Sequence, residues 1–322
     1  IGVWTAATSS AMVIGPLVGG LLVDFASWRW VFLINVLPIA AVLVMLRGLR
    51  IDQPRAPDAR VDVLSALLCT VGLGGIVYAL IEQPTYGWTL PIVLAAVVGV
   101  ASLAAFLDRQ RRVPQPMLPL ALFRERNFAW GNVATVFIDG GLALMSFVVS
   151  VYLQQGAGLS ATLAGLSLLP ITLVMIVLSS SAGGWAGRWG PRLFMTAGPL
   201  IMAAGAASLL LVREDFNYWT QVLPGVLLFG TGLALTVSPL TSAVLGAAPP
   251  ERSGVASATN NAVSRIAGVV PIAALALIVG GQLDLAGFGR AVIATAVLIA
   301  VGALVSWAGI RNPAAPGETP AA

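Results

Sequence analysis

The sequence contains no histidine and no lysine, and Cys69 is the only cysteine in its 322 residues. A single thiol cannot form a disulfide bond within the chain, and without histidine no zinc-type ligand cluster can be assembled. Few groups remain for nucleophilic or acid–base catalysis, so an enzyme is not expected. We predict no metal site, no catalytic residue and no cofactor.

Charge is also scarce, since 9% of the residues are charged and 58% are hydrophobic. The mean hydropathy is +0.94. A water-soluble globular domain of this length does not have such a composition. The composition therefore indicates a membrane protein.

Apolar runs long enough to cross a bilayer as helices recur along the whole chain. They predict an all-α, polytopic membrane protein with about ten spans, and a disordered tail at 312–322 that is rich in proline and alanine. The expected spans are 1–23, 29–47, 63–81, 89–107, 128–153, 163–182, 194–212, 220–246, 254–280 and 289–310.

The arginines give the expected orientation in the membrane. All 17 basic residues are arginine, and the net charge is +4. If the first span runs outward from the cytoplasm, 13 of the 17 arginines lie in inside loops, and Arg265 lies within a span. This bias explains the basic charge by membrane topology and argues against nucleic acid as a partner. We expect a multi-pass protein of the plasma membrane, with the lipid bilayer as its partner and both ends of the chain in the cytoplasm.

The first apolar run carries small residues and a proline at regular spacing. Alone, this spacing is also typical of an ordinary face for helix packing. With Ala11 where a glycine is usual, the spacing resembles the antiporter motif in the fifth helix of drug:proton antiporters of the major facilitator superfamily. The residues of the motif are Gly2, Gly15, Pro16, Gly19 and Gly20.

Three further segments resemble the fourteen-helix branch of that superfamily, which contains multidrug efflux proteins. They are 28–38, 152–170 and 254–265. The resemblance covers nearly the whole chain and implies a fragment, the last ten helices, with four N-terminal helices of the same protein missing before Ile1. Ile1 is not an initiator methionine, and no signal peptide is apparent.

The same resemblance implies how the chain is divided and what it does. Residues 1–47 would be the last two helices of an N-terminal bundle, 63–107 an inserted two-helix unit, and 128–311 a C-terminal six-helix bundle. The implied function is efflux of drugs or amphipathic small molecules by alternating access, in exchange for protons and driven by the proton gradient. A proton-coupled importer of a metabolite and a non-transporting membrane sensor or scaffold remain as alternatives.

A loop between two predicted spans resembles the cytoplasmic loop motif of the superfamily. Its residues are Gly183, Arg188, Gly190 and Arg192, but Gly187 stands where an aspartate is frequent. In the family this loop helps to close the inside gate through charge pairing. Without the carboxylate, the alternative interpretation is that the two arginines only set the topology.

Asp139 and Arg265 are the charges expected inside the membrane, where a charged side chain costs roughly 2.5 kcal/mol or more. Both lie roughly 17–18 Å from the cytoplasmic ends of their spans at 1.5 Å per residue. We hypothesise that they face each other across a central cavity. Arginine does not lose its proton, so Arg265 is expected to be a fixed charge. The alternative is that its long side chain extends to the lipid headgroups.

Two polar lines accompany these charges at helical spacing. The first predicts a cavity wall where Asp139 could exchange protons, or else a hydrogen-bonded aspartate that joins helices. It consists of Asn132, Thr135, Asp139, Ala143, Ser146 and Ser150. The second line consists of Ser257, Asn261 and Arg265. In contrast, Asp24, Glu82, Glu214, Asp215 and Asp284 fall at outer loops or helix ends, where we expect solvated surface.

Overall fold

The computed structural model describes residues 15, 18–48, 62–114, 116–280 and 283–312. Within these ranges the chain forms helices and no strand. The helices are α1 (18–25), α2 (Trp28–Leu33), α3 (Val36–Gly48), α4 (Val63–Tyr86), α5 (Leu90–Arg112), α6 (Arg126–Gln155), α7 (Ala161–Trp189), α8 (Pro191–Ser208), α9 (Leu223–Gly246), α10 (Ser253–Ala273), α11 (Leu275–Val279) and α12 (Leu285–Gly309).

Eight helical segments in the described part of the chain are long and apolar enough to cross a membrane. They match eight of the ten expected spans. Most of the first span, 1–23, and the tail from residue 313 lie outside the described residues. The expected span 254–280 differs, because it is divided into α10 and α11 at Ala274. Pro271 lies three residues before this break, but the hydrogen bond that its ring removes is the one to the Ala267 carbonyl, on the N-terminal side of the proline.

The six helices from α6 to α12, without the short α11, form one bundle. Their main contacts follow the order α10, α6, α12, α8, α9 and α7. The centre of the bundle is filled by large side chains such as Ile138, Leu144, Met202, Phe229 and Ile299, all fully or almost fully buried. Since α7 and α10 stand at the two ends of this order, each keeps a long exposed face.

Helices α4 and α5 form a separate close pair. Gly75 and Gly99 face each other, so that a Cβ at Gly75 would lie 3.0 Å from the Cα of Gly99. Asp62 caps the start of α4 through the amide of Ser65, and it also binds Arg109 near the end of α5 at 2.9 Å. The pair contacts α10 and α11 through α4.

Candidate functional site

The polar line of α6 changes from buried to half-buried along the helix. Asn132 and Thr135 are buried, with 2% and 1% of their surfaces exposed. Asp139 and Ser146 are half-buried. These side chains share one face because they repeat at three- and four-residue spacing. That face contacts α10, whose Ala267 carbonyl oxygen would lie 3.1 Å from a Cβ at Gly140.

A hydrogen-bond network joins α6 to α10 at the buried end of this line. The side-chain amide of Asn260 donates to Asn132 Oδ1 at 3.2 Å and to Thr135 Oγ1 at 3.0 Å. Asn132 in turn donates to the carbonyl of Phe128, and Thr135 donates to the carbonyl of Gly131. Every side-chain group of Asn132 and Thr135 therefore has a partner, which is what burial in an apolar bundle requires.

Asn260 is the member of this network that the sequence interpretation missed. The structure places Ser257, Asn261 and Arg265 on an exposed face of α10. The buried face is offset by one residue, which is about 100° around a helix. It carries the buried Ala256 and Ala267 and the half-buried Asn260 and Ser264. The small size of these neighbours is the signal that could have identified it, because small residues mark the contact faces of membrane helices.

Asp139 lies one turn beyond the network and also faces α10. Its carboxyl group lies near Ser264, without a hydrogen bond to it among the described residues, and further from the charge of Arg265. The two charges are not in direct contact. The ion pairs in the described ranges are those of Asp62 with Arg109 and of Asp108 with Arg112. Arg265 also borders an apolar cavity of about 180 Å³ between α4 and α10.

The glycines of the first apolar run have unequal surroundings. Gly2 and Pro16 lie outside the described residues. A Cβ at Gly15 or at Gly19 would meet nothing within 4 Å. At Gly20 it would lie 2.6 Å from the Cα of Thr162, the second residue of α7. Only Gly20, among the described glycines of the motif, is thus required for a close approach.

The loop motif lies beside the carboxyl end of α12. Arg192 donates from its backbone amide to Asn312 Oδ1 at 3.1 Å and from Nε to the carbonyl of Trp307 at 2.9 Å. Arg126, at the start of α6, donates to the carbonyls of Ala308 and Gly309. The last carbonyls of a helix have no partner within it and carry partial negative charge, so both arginines stabilise this end.

Other residues of the loop motif have different surroundings. Gly190 has φ +84°, a conformation that favours glycine, and it separates α7 from α8. Gly183 lies against Ser238 of α9. Arg188 is exposed and borders an open cavity of about 810 Å³ at this end of the bundle. No cluster of metal-ligating side chains occurs among the residues that the structure describes.

Comparison with known proteins places these features in a family context. The family model described as Major Facilitator Superfamily matches residues 1–271 of the chain. The Multidrug resistance protein Stp of Mycobacterium tuberculosis is 32% identical over 288 residues, which are 88% of this chain and 53% of that protein.

Two proteins of Streptomyces are similarly close. The Methylenomycin A resistance protein of Streptomyces coelicolor is 32% identical over 318 residues, 97% of this chain and 66% of that protein. The Tetracenomycin C resistance and export protein of Streptomyces glaucescens is 32% identical over 290 residues, 88% of this chain and 53% of that protein. The chain thus spans about half to two thirds of the length of these relatives.

Proposed function

The chain belongs to the major facilitator superfamily, and from that premise we propose that it works as a proton-coupled exporter of drugs or other amphipathic small molecules. The family membership confirms that the chain is a multi-pass membrane protein and not an enzyme. The names of the relatives, which refer to multidrug, methylenomycin A and tetracenomycin C resistance, support export over import. The arginine distribution supports a plasma-membrane protein with both ends of the chain in the cytoplasm.

The proposed proton coupling depends on the position of Asp139. It is a half-buried carboxyl group within an apolar helix, and it faces α10, whose Arg265 acts on it at longer range. Ionised and protonated Asp139 differ by a full charge in their interaction with α10. Proton binding can therefore favour one arrangement of α6 and α10 over another, and only such a difference can shift a conformational equilibrium.

The remaining candidate residues have supporting positions in this proposal. Arg265 would be the fixed charge that Asp139 senses. Asn132 and Thr135 would hold α10 against α6 next to the proton site. Ser257 and Asn261 lie on the exposed face of α10, where they would line the substrate passage between two bundles.

Proton-driven efflux tests the proposal in the full-length protein that contains this chain. Reconstituted in vesicles, the protein should move ethidium against its gradient when a pH gradient is imposed, and collapse of that gradient should abolish the movement. We expect Asp139→Asn to reduce this efflux to the level of empty vesicles, because asparagine cannot bind or release the proton. Fluorescence of the dye measures the rate.

Asp108→Asn is the matched control, because Asp108 is an exposed carboxylate paired with Arg112 at the end of α5. It should leave efflux unchanged. Efflux by Asp139→Asn at the rate of the parent would show that the proton binds elsewhere. Dye movement that follows its own gradient and ignores the pH gradient would contradict proton-coupled export and favour a passive pathway.

A further inference from the structure

Asp24, at the end of α1, contacts the start of α7, which is 137 residues away in the sequence. Its Oδ1 accepts a hydrogen bond from the amide of Ala161 at 3.0 Å, and its Oδ2 accepts one from the amide of Thr162 at 2.8 Å. One turn earlier in α1, Gly20 packs against the backbone of Thr162. We call these four residues the outer contact. Asp24 is exposed at a helix end, as expected, and it makes this contact in addition.

The outer contact consists of hydrogen bonds between a carboxylate and the first amides of a helix, although it lies at the surface. The first amides of a helix have no partner within the helix and carry partial positive charge. At α7, Ser160 caps the amide of Leu163 at 3.2 Å, while Asp24 binds the two amides before it. All three amides of the first turn are thus satisfied, and two of them only through a helix from another part of the chain.

Gly20 and Asp24 act together because they are four residues apart and share one face of α1. Any side chain at position 20 would collide with backbone atoms of α7, namely the Cα and amide nitrogen of Thr162 at 2.6 and 2.9 Å. Glycine lets the two helices approach, and the carboxylate fixes them at that distance. A contact that only covered apolar surface would need neither feature.

Asp24 is suited to be a fixed charge and not a second proton site. Hydrogen bonding with Thr162, and to a smaller extent with the amide of Ala161, holds the pKa of its carboxyl group below the ordinary value. The group therefore stays ionised at neutral pH while the contact is made. Proton binding at Asp139 and closure at Asp24 are separate tasks at separate places.

We propose that Asp24 is the positioning residue that holds the outer contact closed on the outward side of the transporter. The inference rests on the proposed function, since alternating access requires a contact that forms and breaks between the leading helices and the six-helix bundle. The arginine distribution places the end of α1 and the start of α7 on the outer side.

A distance measurement tests the proposal without relying on transport. In the full-length protein, with Cys69 and any other cysteine replaced by serine, spin labels are attached at Phe25→Cys and Leu163→Cys. Both positions are exposed, at 83% and 50%, so labels should fit. The parent should show mainly the short distance. Asp24→Ala should raise the ratio of long to short distances about five- to tenfold, the usual effect of losing a helix cap.

Asp284→Ala is the matched control, since Asp284 caps α12 through the amide of Gly287 at 2.7 Å but lies within the six-helix bundle. It should leave the distances unchanged. Asp24→Asn keeps an acceptor without the charge and should give an intermediate ratio, and Asp24→Glu should restore most of the short population. If Asp24→Ala does not fold, the asparagine variant carries the same test.

The possible results separate this inference from the proposed export. Equal distance distributions in the parent and in Asp24→Ala or Asp24→Asn would overturn the role of Asp24, even if the protein exports dye. A shift to long distances in a protein that exports no dye would support the outer contact and contradict the export proposal alone.

Discussion

Helices α6 and α2–α3 are both apolar enough to cross a membrane, yet the described residues cover them to very different extents. About half of the residues in the apolar part of α6 are buried, whereas none are buried in Trp28–Arg47. Hydropathy therefore indicates whether lipid or water surrounds a helix, but it says little about which helices pack against it. In lipid, apolar side chains gain nothing from leaving the surrounding medium, so helices must associate for other reasons.

Small residues mark the faces of α6 that are closely packed. Gly131, Gly140 and Gly141 are all buried in α6, where the backbones of α10 and α12 and the side chains of α9 and α12 come close. The sequence of α3, in contrast, consists mostly of valine, leucine and isoleucine at exposed positions. Close approach of helix backbones, combined with internal hydrogen bonds, thus defines the six-helix bundle.

The largest expected effect comes from a bulky residue between two helix backbones of the bundle. At Gly205 of α8 a Cβ would lie 2.5 Å from the amide nitrogen of Phe229 and 2.8 Å from the carbonyl oxygen of Gly225. We expect Gly205→Leu to destabilise the protein by about 3 kcal/mol or more, since backbone atoms cannot move aside as side chains do. The yield of monodisperse protein and its melting temperature in detergent measure this.

Ala204→Leu is the control for that substitution, because Ala204 is the neighbour of Gly205 in α8 but is exposed. It adds a similar volume on the other side of the same helix and should change neither yield nor melting temperature. A similar loss of stability for Ala204→Leu would mean that the exposed side of α8 is also closely packed in the whole protein.

A smaller effect is expected for the polar network between α6 and α10. Asn260→Ala removes two hydrogen bonds and should destabilise the bundle by about 1 kcal/mol, the usual size for such bonds within membranes. Asn261→Ala, one residue further on and exposed, should have no effect. Unfolding in a denaturing detergent compares the two variants. Equal destabilisation by both variants would show that the contact face of α10 has been assigned incorrectly.

The same two positions show how much of the candidate site could be predicted from the sequence. Spacing placed Asn132, Thr135 and Asp139 on one face of α6, and the structure agrees because a single helix fixes its own periodicity. Which face of α10 meets the polar line of α6 depends on how α10 packs against α6 and α9. The sequence interpretation relied on polarity alone and therefore chose Ser257 and Asn261 instead of Asn260. Polar residues can face a partner helix or an open passage, whereas small residues identify the partner.

The membrane spans were predictable for a different reason. Eight of the ten expected stretches are helices of sufficient length, since apolar runs have one stable form in lipid. The break at Ala274 was missed because hydropathy does not show where a helix is interrupted. The division of the chain at 1–47, 63–107 and 128–311 stays a prediction. Long-range contacts such as that of Asp24 with α7 depend on tertiary structure and have no local signal.

The smallest expected effect concerns the pair α4–α5. In burial this pair is intermediate between α6 and α2–α3, because its helices pack closely on each other but expose most of their outer surface. Hydrogen bonding with Arg109, and then with Ser65, holds the pKa of the Asp62 carboxyl group well below its usual range. A depressed folded-state pKa stabilises the fold above the unfolded pKa of about 3.9, and this contribution is lost as the pH falls toward the folded value. The melting temperature of the parent should therefore decline between about pH 4 and pH 3 more steeply than that of Asp62→Asn, whose side chain does not titrate.

The matched variant Asp108→Asn, in the exposed pair with Arg112, should follow the parent, because exposed ion pairs add little stability. If Asp62→Asn follows the parent as well, then the glycine contacts alone hold the pair together, and α4–α5 resembles the six-helix bundle in how it is stabilised.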